Sequence, residues 1–154
     1  MMVADQADDW LRATVEAAGE LCDTTLGVAL NQCQHQARLP ENLTGCIVAL
    51  VGVEESIQVG LASDSQGCQS LARALFCSDE DLPESDVADA LGEIANIVAG
   101  GVKKRKSHSH SAMVLGLPLV MVGQLRLSER QVLAQNDVLM GDIPVRVWVI
   151  CNRE

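Results

Sequence analysis

The sequence predicts an α+β fold, a two-layer sandwich with a largely antiparallel sheet and long helices packed on it. Three observations predict it. The order of elements is helix, strands, helix, helix, strands. Two stretches, Ser56 to Ala62 and Ile143 to Ile150, alternate apolar and other residues with the period of two that a strand requires. One long stretch, Glu84 to about Lys103, repeats its apolar residues at helical spacing instead. With 154 residues, the chain is long enough to bury a core without disulfides or metals, and residues 1–154 are read as a single domain.

Each element has its own local reason. From Asp8 to about Asn31, Trp10, Leu11, Val15, Ala18 and Leu21 or Cys22 recur at helical spacing, with Asp8 or Asp9 as the expected N-cap. Gly27 is a candidate break, after which Val28 to Gln36 reads as strand or loop. Pro40-Glu41-Asn42 marks a turn. Gly45 to Val53 is a buried strand, with Ser56 to Ala62 as its hairpin partner. Asp64 to Phe76 is a helix capped by Ser63 or Asp64. The acidic loop Ser78 to Pro83 leads into the long helix. That helix opens with Glu84 and Asp86 and closes with Lys103, Lys104, Arg105 and Lys106, charges that match the helix dipole. Met113 to Gly123, Val132 to Leu139 and Ile143 to Ile150 are strands, and Met140-Gly141-Asp142 is the turn between the last two.

Composition excludes several functions. The net charge of −10 opposes contact with nucleic-acid phosphates or anionic membranes. The N-terminus carries acids where a secretory signal carries bases. The apolar stretch Ala112 to Gly123 is too short to span a bilayer and is broken by Gly116 and Pro118. The expected location is therefore the cytoplasm. The six cysteines contain no C-x-x-C pair, which removes the usual zinc and thioredoxin motifs. Buried reduced thiols are expected. No metal ligands and no cofactor are assigned to the chain. His108 and His110 could share a strand face but not a helix face, and the basic run before them reads as a solvated helix end. His35 reads as an ordinary surface or core residue.

The long helix carries the chemistry. At about 100° per residue, Val87, Leu91, Ile94, Val98 and Val102 form one stripe, and Asp89, Glu93, Asn96 and Gly100 form another. The two stripes lie roughly 170° apart, so the second faces solvent. Ala88, Gly92, Ala95 and Ala99 form a flank of little bulk. Gly92, Gly100 and Gly101 each cost the helix about 1 kcal/mol relative to Ala. Three glycines on one helix suggest that a close approach compensates for that cost.

The segment Asp89-x-x-x-Glu93-x-x-Asn96, with Gly100 after it and Pro118 beyond, resembles the signature of the CheC/CheX/FliY chemotaxis phosphatases. Most of the chain follows the family's order of elements, and CheX is the most similar member. The first helix offers Glu16-Ala17-Ala18-Gly19 and Glu20-Leu21-Cys22-Asp23, neither with the asparagine, so one site per chain is expected. The resemblance implies hydrolysis of the aspartyl phosphate of a CheY-like response regulator. Asn96 would orient the attacking water, and Glu93 would anchor the regulator's active-site lysine. Asp89 and Gly100 would contact the partner, and magnesium would belong to the regulator. It also implies a homodimer formed through sheet edges. It gives no role to Lys103 to Ser111. The alternative is a non-catalytic, CheC-like binding module for a regulator or another signalling partner.

Overall fold

The computed structural model describes residues 3–33, 39–53, 55–108 and 113–152. Helix α1 spans Val3–Leu21. A wider π-type turn, Cys22–Leu26, extends it to Gly27, which ends it at φ +68°, a left-handed conformation that costs glycine least. The helix begins ahead of Asp8 and Asp9, so neither caps it. Asp5 supplies the acidic first turn, and Asp9 pairs with Arg12 and Lys106 instead. Beyond Gly27 the open choice between strand and loop resolves to a short strand, β1, Leu30–Gln32. His35 lies outside the described residues.

Strands β2, Leu43–Val51, and β3, Ser56–Ser63, form the predicted hairpin. Helix α2 spans Ser65–Phe76, and the Asp64 carboxylate caps it by accepting from the Gly67 N–H at 2.7 Å. Helix α3 spans Glu84–Arg105. The stretch expected as one strand from Met113 to Gly123 is two pieces, β4, Val114–Leu115, and β5, Leu119–Gly123. Both pair with β2. Gly116 still donates to the Ala49 carbonyl at 2.7 Å. Pro118 then interrupts the ladder, because it has no N–H to donate. Strands β6, Gln131–Met140, and β7, Ile143–Asn152, close the fold.

Among the described residues, seven strands form one sheet in the order β1-β6-β7-β3-β2-β4, with β5 also on β2. Every pairing is antiparallel. The helices lie on one face, which completes the expected two-layer α+β sandwich. Val48, Leu50, Val59, Leu61, Val147 and Val149 point from the sheet into that layer, where they meet Trp10, Leu21, Leu91, Ile94, Val98 and Val102. Each such side chain contributes about 1.5–3 kcal/mol by leaving water. The opposite face carries a smaller cluster around Leu43, Ala62, Trp148 and Ile150.

Helices α1 and α3 pack closely. A Cβ on Gly101 would stand 2.9 Å from the Ala17 Cβ. The basic end of α3 reinforces this contact. Arg105 reaches Glu20 at 2.6 Å and Glu16 at 3.7 Å. Lys106 pairs with Asp9 and lies 4.8 Å from the centre of the Trp10 ring. Two residues of the run that had no role from resemblance, Arg105 and Lys106, therefore strap the two helices together.

Candidate functional site

Helix α3 orients the site because its apolar stripe has only one place to go. Leu91, Ile94, Val98 and Val102 are fully buried against the sheet and α1. The opposite stripe must then face outward, and Asp89, Glu93 and Asn96 are exposed there. Gly100 is half-buried, with nothing within 4 Å of where its Cβ would be. All four residues named from the sequence thus share one accessible helical face. Glu93 and Asn96 are about 4.5 Å apart along the axis, slightly less than one turn.

The flank of small residues differs from its expectation. Ala95 and Ala99 are buried, so they serve internal packing and not an open surface. Further along the same flank, a Cβ on Gly92 would stand 3.5 Å from the Pro118 Cβ. The link between β4 and β5 therefore lies against the helix beside the polar stripe. The result is an open groove of about 360 Å³ lined by Ala88, Asp89, Gly92, Glu93, Asn96, Pro118 and Val120. One wall is polar and anionic; the other is apolar. No cation lines it.

The three glycines also separate. Gly101 accommodates Ala17, whose Cβ would stand 2.9 Å from an added one, whereas at Gly92 an added Cβ would meet Pro118 at an ordinary contact distance of 3.5 Å. Gly100 leaves bare helix surface with nothing within 4 Å of an added Cβ, and Gly92 lines the open groove. Sequence reasoning missed Val120 as part of the site. Leu119-Val120-Met121-Val122 is apolar throughout and carries no local signal of its inner side; the pairing with the core residue Cys46 turns Val120 toward the helix layer.

Other chemistries find little support in the described residues. No group of His, Cys, Asp and Glu there could hold a metal ion. His108 is exposed, and His110 lies outside the described residues. All six cysteines are free, and Cys22, Cys46, Cys68 and Cys151 are buried. Burial pushes the thiols of Cys22, Cys68 and Cys151 up to about 11, which disfavours the nucleophilic thiolate. No described helix is long and apolar enough to cross a membrane. On α1, the glutamates that lack an asparagine partner, Glu16 and Glu20, are engaged by Arg105.

The described residues thus form an α+β sandwich that presents Glu-x-x-Asn on an exposed helix, in an open groove. The model of the family described as "Chemotaxis phosphatase CheX" matches residues 44–136, which include Glu93, Asn96 and Pro118. The chain belongs to the CheX family. No curated protein sequence matches it. Among solved structures, it is similar to the CheX of Desulfovibrio desulfuricans, at TM-score 0.76 and 14% identity, covering 94% of this chain and 99% of that one. The CheX of Vibrio vulnificus gives TM-score 0.74 and 16% identity, covering 92% and 95%. The Borrelia burgdorferi CheX–CheY–BeF3–Mg2+ complex gives TM-score 0.68 and 15% identity, covering 94% and 98%. At these identities the structural likeness establishes the fold.

Proposed function

We propose that this chain hydrolyses the aspartyl phosphate of a CheY-like response regulator in the cytoplasm, with residues 1–154 acting as one phosphatase domain. The observation that carries the reading is the joint projection of Glu93 and Asn96 from one exposed face of α3 into an open groove. Membership of a phosphatase family supports the reaction class. The Borrelia complex supports the kind of partner.

An acyl phosphate is already reactive, so the main requirement is a water held in line with phosphorus. The Asn96 carboxamide meets it. Its oxygen accepts from the water while its N–H donates, and it brings no charge toward the phosphoryl oxygens. A carboxylate at the same place, at about 4 Å from an anionic oxygen, would cost about 4 kcal/mol at an effective dielectric of about 20. The water oxygen attacks phosphorus and the bond to the aspartyl oxygen breaks. Its electron pair leaves with the carboxylate, and the water's proton passes to phosphate or solvent. Glu93, one turn earlier, anchors the regulator's active-site lysine. Asp89 and Gly100 extend the contact along the helix. Magnesium is held by the regulator, where it offsets phosphoryl charge, and this chain needs no cofactor of its own.

A homodimer completes the proposal. The edge formed by β4 and β5 exposes Val114 at 65% and Leu119 at 66%, beside Val51 at 47%. An apolar sheet edge of this kind is a natural pairing surface. Light scattering that returns a monomer mass at all working concentrations would reject it.

The decisive experiment follows the decay of phosphorylated regulator with the wild-type chain and with Asn96→Ala. The wild type should accelerate decay, and the substitution should reduce that acceleration by about a hundredfold or more. Thermal unfolding should not change, because Asn96 is exposed. If the wild type binds the regulator without accelerating decay, the chain is the non-catalytic binding module and the phosphatase reading fails.

A further inference from the structure

We propose that the helix-facing side of β5, formed by Val120 and Val122 next to Pro118, is a second docking element for the same phosphorylated regulator. The inference rests on the phosphatase reading for its partner and adds a surface to it. Three observations carry it. Pro118 and Val120 line the same groove as Asp89, Glu93 and Asn96. A body seated on the polar stripe therefore also meets Pro118 and Val120, and Val122 continues the same side of β5 beyond the groove lining. Val120 is 39% exposed and Val122 is 78% exposed, although both belong to the side of the sheet that the helices cover elsewhere. The register explains this: Val120 pairs with Cys46 and Val122 with Thr44, at an edge that no helix overlies fully. Finally, the two sides of β5 are separate surfaces. Leu119 pairs with Ile47 and faces the opposite layer, so the edge can serve a second copy on one face and the regulator on the other.

The division of labour follows from the chemistry of the two walls. The α3 wall is anionic and polar and supplies orientation at the phosphoryl group. The β5 wall is apolar and supplies affinity without adding charge near an anion. Protein interfaces commonly set a buried apolar core beside a polar rim. Pro118 keeps the two walls in register, because its ring rests over Gly92 within one turn of Glu93. The partner's matching surface would be an apolar patch adjoining its phosphorylated aspartate.

The test introduces Val122→Lys, with Val53→Lys as the control. Val53 is 93% exposed and lies in the β2–β3 turn outside the groove. Two readouts are taken. One is the KM and kcat for decay of the phosphorylated regulator. The other is the affinity for regulator loaded with beryllium trifluoride and magnesium. Val122→Lys should raise KM and weaken that affinity by about tenfold, with kcat, melting temperature and light-scattering mass unchanged. Val53→Lys should leave both values alone. Unchanged affinity in Val122→Lys would overturn the inference, as would a loss that tracks a fall in dimer mass. If the wild type binds loaded regulator but does not turn it over, the phosphatase reading fails. The docking surface is then still judged by the affinity of Val122→Lys.

Discussion

Gly100→Ala is expected to make the protein more stable and a poorer partner at the same time. The first effect comes from the helix itself. Gly100 lies within α3, and an added Cβ meets nothing within 4 Å. The substitution therefore keeps the full propensity gain of about 1 kcal/mol over glycine. For a domain of this size, that raises the melting temperature by about 2–4 °C. The second effect comes from the partner. If the regulator packs on bare helix backbone at Gly100, a methyl group there overpacks the contact at a cost of about 1–3 kcal/mol. KM should then rise about fivefold or more, with kcat nearly constant, because Gly100 holds no reacting atom. Thermal unfolding followed by circular dichroism and the regulator decay assay measure the two effects separately. A stabilised protein with unchanged KM would refute the docking role of Gly100. A destabilised one would refute the assignment of open space at that position.

Three further outcomes follow from the same geometry. Gly101→Ala should behave in the opposite way, since its Cβ would stand 2.9 Å from Ala17 and 3.2 Å from the Arg105 guanidinium. A net loss of about 1–2 kcal/mol in denaturant unfolding is expected, and an unchanged midpoint would contradict the close α1–α3 packing. The Arg105 guanidinium holds the Glu20 carboxyl below its ordinary 4.5. Glu20 thus binds its proton less readily in the folded chain. Its contribution is present above 4.5 and is lost as pH falls through the lowered value. Glu20→Gln should therefore lower the melting temperature near neutral pH and converge with the wild type in acid. High salt should also shrink the difference, because the carboxylate is exposed. In a thiol titration of the native protein near neutral pH, exposed Cys77 should react quickly. The buried thiols of Cys22, Cys68 and Cys151, pushed up to about 11, should wait for unfolding. Fast labelling of Cys22 would place the α1 terminus outside the core.

What the sequence by itself determined about this protein is whatever depends on local period and local chemistry. The 3.6-residue rhythm of Leu91, Ile94, Val98 and Val102 required a buried helix face. That placed Asp89, Glu93 and Asn96 in solvent before any partner in space was known. The Asp64 cap and the β2–β3 hairpin were legible for the same reason, because neighbours in sequence create them. Tertiary structure decided everything that depends on a contact between distant residues. Nothing near Gly92 in the chain announces Pro118, and nothing near Gly101 announces Ala17. The pairs of Arg105 with Glu20 and of Lys106 with Asp9 likewise join residues 85 and 97 positions apart. Ala95 and Ala99 read as an open flank because alanine fits both surface and core. Only the position of the sheet and the neighbouring helix shows which side is covered. The apolar wall of the groove belongs to this second kind, since Val120 reaches α3 through the pairing of β5 with β2.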